Sequence, residues 1–159
     1  MIRTLIPLAA VAALLAACSG EPKPSGGEQA VVTATGALCR PTPVGRQMTG
    51  CYVTLTATAD DRLVSVSTPA AGRVEIHESK IESNMMMMRE LKEGLPLPAG
   101  QAVELKPGGN HIMLLAVAEP LADGQSIPLT LNFASAAAVT VQAAIGQPPV
   151  NEYGTQTGS

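Results

Sequence analysis

The chain has 159 residues, 46% hydrophobic but only 2% aromatic, with ten Lys and Arg against thirteen Asp and Glu. Setting aside Arg3 of the leader leaves nine basic side chains, too few and too scattered to form the patch that nucleic acid requires. Nucleic acid is therefore excluded as a partner.

Residues 1–17 read as a lipoprotein signal peptide. Arg3 precedes an uncharged apolar run from Leu5 to Ala17, shorter than the about 20 residues of a membrane-spanning helix but suited to a secretory leader. It ends in Leu15-Ala16-Ala17-Cys18, a lipobox in which Cys18 is the lipidation site and the mature N-terminus. Ser19 in place of Asp suits sorting, in a Gram-negative cell, to the periplasmic face of the outer membrane. Residues 18–29 are Gly, Pro, Ser and charge without apolar period, a flexible tether. Residues 146–159 have the same character and are expected to be a disordered tail. The 30–145 stretch is enough for one domain.

Within that domain Cys39 and Cys51 are an even pair in an exported protein, expected to form a disulfide across the first two strands. Short β-branched runs follow one another: Val31–Thr35, Tyr52–Thr58, Leu63–Val66, Arg73–His77, Val103–Leu105, Ile112–Val117, Leu129–Phe133 and Val139–Val141. Turn signals such as Asp60-Asp61, Pro69–Gly72, Pro98–Gly100 and Ala122–Gly124 separate them. This spacing predicts an all-β sandwich or barrel with no room for crossover helices. With one Phe, two Tyr and no Trp, the core must come from Val, Leu, Ile, Ala and Met.

The chain has only two histidines. His111 follows the turn Lys106-Pro107-Gly108-Gly109, whose Pro and Gly suit type II, and it shares a strand face with Met113. His77 ends a strand, and the run Met85–Met88 comes shortly after it. If that run is extended, Met86 and Met88 share one face and Met85 and Met87 the other, so that one pair can pack inward while the other presents its sulfurs. Imidazole with thioether selects copper, Cu(I) above all, over hard cations. Unlike a free thiol, a thioether needs no deprotonation and is not lost to disulfide exchange outside the cell. The competing reading of the methionines is packing or docking of a protein partner.

Residues 47–145 resemble the PCuAC family of periplasmic copper chaperones. The likeness runs through Tyr52–Leu55, Asp60–Val64, Pro69–Glu78, Pro98–Gly100, Val103–Gly109 and His111–Leu115. It includes a metal motif of His, ten residues, Met, about twenty-one residues, then His-x-Met. His77 and Met88 fit the first interval; Met88 and His111 are separated by one residue more than usual, assigned to the loop around Arg89–Pro96. Met86 therefore stays open as the alternative to Met88. Where relatives carry Trp in the first strand, this chain has Leu38-Cys39.

The resemblance implies a cupredoxin-like Greek-key β-sandwich binding Cu(I) at a surface site of His77, Met88, His111 and Met113, with Cu(II) not decided. It further implies delivery to a copper-receiving protein, either the CuA centre of cytochrome c oxidase or a thiol-bearing assembly factor. A monomer held to the membrane by its lipid anchor is expected. Copper sequestration for tolerance would use the same residues. No G-x-S-x-G elbow accompanies the histidines, so no enzyme activity is expected.

Overall fold

The computed structural model describes residues 29–149, so the expected leader, Cys18, residues 18–28 of the tether and the tail from residue 150 lie outside the described residues. The described chain forms ten strands: β1 (Val32–Cys39), β2 (Met48–Ala57), β3 (Asp61–Ser67), β4 (Ala71–Glu82), β5 (Met85–Glu90), β6 (Leu95–Leu97), β7 (Ala102–Leu105), β8 (His111–Val117), β9 (Ser126–Phe133) and β10 (Val139–Ile145). Among the described residues there is no helix.

The strand order is β5-β4-β8-β2-β1-β10-β9-β3-β6, with β7 also on β2. β8 pairs with Met48–Cys51 and β7 with Val53–Thr56, so the two share one edge of β2. All pairings between strands are antiparallel except β1 with β10, which joins the two halves of the sandwich. Chain neighbours are thus often not sheet neighbours, as a cupredoxin-like Greek key requires.

The alternation read from sequence explains the layers. In β2, Cys51, Val53, Leu55 and Ala57 are buried, while Tyr52, Thr54 and Thr56 point outward. β9 repeats the pattern with Ile127, Leu129, Leu131 and Phe133 inward. Leu55, Leu63, Leu97, Ile112, Leu114, Leu129 and Leu131 are among the largest fully buried side chains. Each contributes on the order of 1.5–3 kcal/mol by leaving water. Methionine was expected to help fill this core and does not: Met85, Met86, Met87 and Met88 are all exposed, and no described Met is buried. Aliphatic residues suffice, with Phe133 as the aromatic member.

Cys39 and Cys51 are direct register partners between β1 and β2 and form a disulfide, with their Cα atoms 4.0 Å apart. Opposite that staple, Asp61 anchors the loop after β9. Its carboxylate accepts hydrogen bonds from the backbone N–H groups of Arg62, Ser135 and Ala136 at 2.8–2.9 Å. Desolvation pushes this carboxyl up, but the backbone donors outweigh it and hold it below the ordinary value.

Two elements extend beyond the sequence expectation. β4 does not stop at His77 but continues to Glu82, and a two-residue turn returns it as β5. Ser83 and Asn84 both have positive φ, at 50° and 60°, the type I′ geometry that matches strand twist. The short β6 is fixed by Gly94, at φ 81°, where any side chain would strike the Leu63 carbonyl. Past Ile145 the chain stays on the domain for a few residues: the Gly146 N–H donates to Cys39 O at 2.9 Å, and Pro148 and Pro149 lie near Tyr52.

Candidate functional site

The solvent-side faces of β5, β4 and β8 carry the candidate residues. Ile76, Ile112 and Leu114 point into the core, so their neighbours Glu75, His77, His111 and Met113 lie on the other face, where His111 is itself buried. Register places His77 directly opposite His111, and Glu75 opposite Met113. On the other side of β4, Met88 faces Ser79 and Met86 faces Ile81. Met88 is therefore the diagonal neighbour of His77, roughly 7–8 Å away by Cα. Met86 stands one same-face step further off, about 6.5–7 Å.

The two imidazoles meet edge to face, with ring centroids 5.7 Å apart. Each has one nitrogen occupied. His111 Nδ1–H donates to Gly109 O at 2.9 Å, leaving Nε2 with its lone pair. That carbonyl also accepts the Ser79 N–H at 3.2 Å, so one atom secures both the ring and the extension of β4. Gly109 is placed by the expected turn: its N–H donates to Lys106 O at 3.1 Å, and Gly108 has φ 76°. His77 Nε2–H donates to Glu75 Oε2 at 2.8 Å, and His77 Nδ1 is buried with no hydrogen-bond partner. A buried polar atom left bare is costly unless something else fills it.

Burial lowers the pKa of His111; the Gly109 bond works against this and nearby His77 adds to it, so the net direction is down. A ring held neutral is the form that offers a lone pair.

Beside the rings lies a cleft of about 610 Å³. Met86 and Met88, the segment Arg40–Val44, and His111, Met113, Gly50 and Tyr52 are among the residues that line it. His77 does not line the cleft; it stands edge-on to His111. His111, Met113, Met88 and Met86 therefore share one opening, with the His77 ring adjacent. Met85 and Met87 belong to the opposite face of β5. They do not pack inward, because β5 is an edge strand that reaches past the core and is exposed along its whole length.

The sequence pattern of the family described as "Putative lipoprotein LpqE-like" matches residues 32–145. The chain belongs to the LpqE-like family. A relative of this LpqE-like chain, "Putative lipoprotein Lxx21020" of Leifsonia xyli subsp. xyli (strain CTCB07), is 39% identical over 71 residues, which is 45% of this chain. The chain spans 43% of that relative's length.

Among solved structures, the apo PCuAC domain from PmoF1 superposes with a TM-score of 0.61 at 25% identity, covering 74% of this chain and 94% of that one. The Cu(I) form of DR1885 from Deinococcus radiodurans gives 0.60 at 27% identity, over 76% and 82% of the two chains. The copper-bound PCuAC domain from PmoF2 gives 0.60 over 74% and 93%; at 24% identity it speaks to fold alone. The all-β, cupredoxin-like PCuAC fold expected from the sequence is the fold observed, and the LpqE-like domain is of PCuAC type.

Among the described residues no three His, Cys, Asp or Glu side chains converge on one point. The donors that gather on the LpqE-like domain are two imidazoles and the sulfurs near them, a set suited to a soft ion. Sequence reasoning gave Glu75 no role, although its i−2 position puts it on the same face as His77. The Gly109 carbonyl had no sequence signal of its own, and neither did the Arg40–Val44 wall, which comes from a distant segment.

Proposed function

We propose that this domain is a copper carrier that takes one Cu(I) ion as cargo at His77, Met88, His111 and Met113. The observation that carries the reading is the pair of facing imidazoles, each with one nitrogen tied down and the other bare. Metal-binding histidines characteristically donate their second N–H to a carboxylate or a backbone carbonyl, and here one ring has each. Met113 shares the strand face of His111, and Met88 is closer to His77 in register than Met86 is. The Cu(I) form of one structural neighbour of the same fold, DR1885, supports the choice of metal.

Neutral thioethers bind Cu(I) without a proton to release, and exposed ones let the ion go again. The role is therefore carriage and not catalysis. The recipient in this reading is the CuA centre of cytochrome c oxidase or a thiol-bearing assembly factor. The carrier is an exported monomer held at the periplasmic face of the outer membrane through lipid on Cys18. The lipoprotein family supports export and the lipid anchor, and Ser19 after the lipobox cysteine suits outer-membrane sorting in a Gram-negative cell.

The test is competition of apo-protein with a Cu(I) chelator, followed by transfer to an isolated CuA domain. One equivalent should bind, and His77→Ala or Met113→Ala should weaken it by at least the roughly 10–100-fold that loss of an orienting partner costs. Binding equal to wild type in both variants would return the methionines to partner docking.

A further inference from the structure

Glu75 is the charged group closest in role to the candidate ligands without being one of them. Its side chain is only 15% exposed, and each of its oxygens has a single partner: Oε1 takes Arg73 Nη2 at 2.9 Å, and Oε2 takes His77 Nε2 at 2.8 Å. Residues 73, 75 and 77 alternate onto one face of β4, so three side chains form a short line along the strand. Glu90 stands opposite His77 on β5 but is exposed. The carboxylate that addresses the ring is thus Glu75.

We propose that Glu75 is a positioning residue that locks His77 in the Nε2–H tautomer, with Arg73 holding the carboxylate in place, so that Nδ1 is presented bare. Resting on the copper-carrier reading, this arrangement sets the ring before cargo arrives. A neutral imidazole carries one N–H, and the nitrogen that donates to Glu75 cannot also offer a lone pair. Without the carboxylate the proton is free to occupy either nitrogen, and the ring is free to turn. Arg73 fixes one oxygen and offsets the negative charge, which leaves a positioning group and not an extra anionic ligand.

The experiment uses the full chain with ¹⁵N-labelled histidine. Imidazole ¹⁵N shifts of the apo-protein report the tautomer directly, and a Cu(I) chelator competition reports affinity. Wild type should show His77 as the Nε2–H form. Glu75→Ala should give a mixed or inverted tautomer and a roughly 10–100-fold weaker affinity. Glu75→Gln, whose amide oxygen still accepts the bond, should keep the wild-type tautomer and lose far less affinity. An unchanged tautomer in Glu75→Ala would overturn the proposal, as would equal losses in the Ala and Gln variants. The tautomer measurement needs no metal. Failure of wild type to bind Cu(I) would overturn the carrier reading, while the apo shifts would still decide for or against the lock.

Discussion

Strands β8 and β5 hold the two ends of the candidate ligand set, and the fold treats them in opposite ways. β8 is central, flanked by β4 and β2, with Ile112 and Leu114 fully buried beneath His111 and Met113. β5 is an edge strand bonded only to β4, and all six of its residues are exposed. A strand with two neighbours and a buried face opens only with the domain, whereas an exposed edge hairpin can open locally at small cost. The difference divides the proposed site into a fixed half, which sets the geometry, and the Met88 thioether, which can leave. That division is what reversible loading asks of a carrier.

The largest expected effect tests the fixed half. Leu114→Ala should cost about 2–5 kcal/mol of stability, because it empties a fully buried position under the site. Met87→Ala, on an exposed face of the edge strand, should change stability by no more than about 0.5 kcal/mol. Urea unfolding of both variants measures the contrast. Comparable losses would mean that the hairpin is part of the cooperative core and that the comparison is mistaken.

A smaller effect sharpens the mobile half. Met88→Ala should lower Cu(I) affinity by roughly tenfold or more, equivalent to about 1.4 kcal/mol. Met87→Ala, on the other face, should leave it unchanged, and Met86→Ala should fall between. Chelator competition on the three variants gives the order. If Met86→Ala were the most damaging, the register of β5 would not be the one that operates in binding.

The contrast between the strands also explains what could be read from the sequence. Where burial and alternation act together, as in β2, β8 and β9, apolar period alone marks the strand and its inward face. The type II turn before His111 was legible because Pro107 and Gly108 each answer a backbone requirement. Beyond His77 the pattern fades: Glu78, Ser79, Lys80, Ile81 and Glu82 lack a consistent apolar face, since neither side of that segment meets the core. The hairpin is set there by two positive-φ residues, Ser83 and Asn84, and not by the more telling Asn-Gly pair. The same lack of a core explains why no methionine of β5 turns inward. Glu75 was visible as a same-face neighbour of His77, but its bond to the ring depends on side-chain geometry that spacing does not encode. The hold on His111 is a backbone carbonyl, which is present at every residue and so carries no sequence signature.

The smallest effect concerns pH and belongs to the fixed half. Burial holds the folded-state pKa of His111 below the ordinary imidazole value of about 6.5. Between the two values the unfolded chain binds more protons than the folded one, so stability rises with pH across that window. His111 therefore withdraws nothing above the unfolded value. Stability is lost as pH falls from there through the folded value, and no further below it. Denaturant midpoints of apo-protein between pH 7.5 and 5 should fall more steeply for wild type than for His111→Gln, which has no proton to gain. Parallel curves would mean that the ring is as accessible to protons in the folded chain as in the unfolded one. In that case the covering turn, and with it the rigid character assigned to the β8 half of the site, would have to be abandoned.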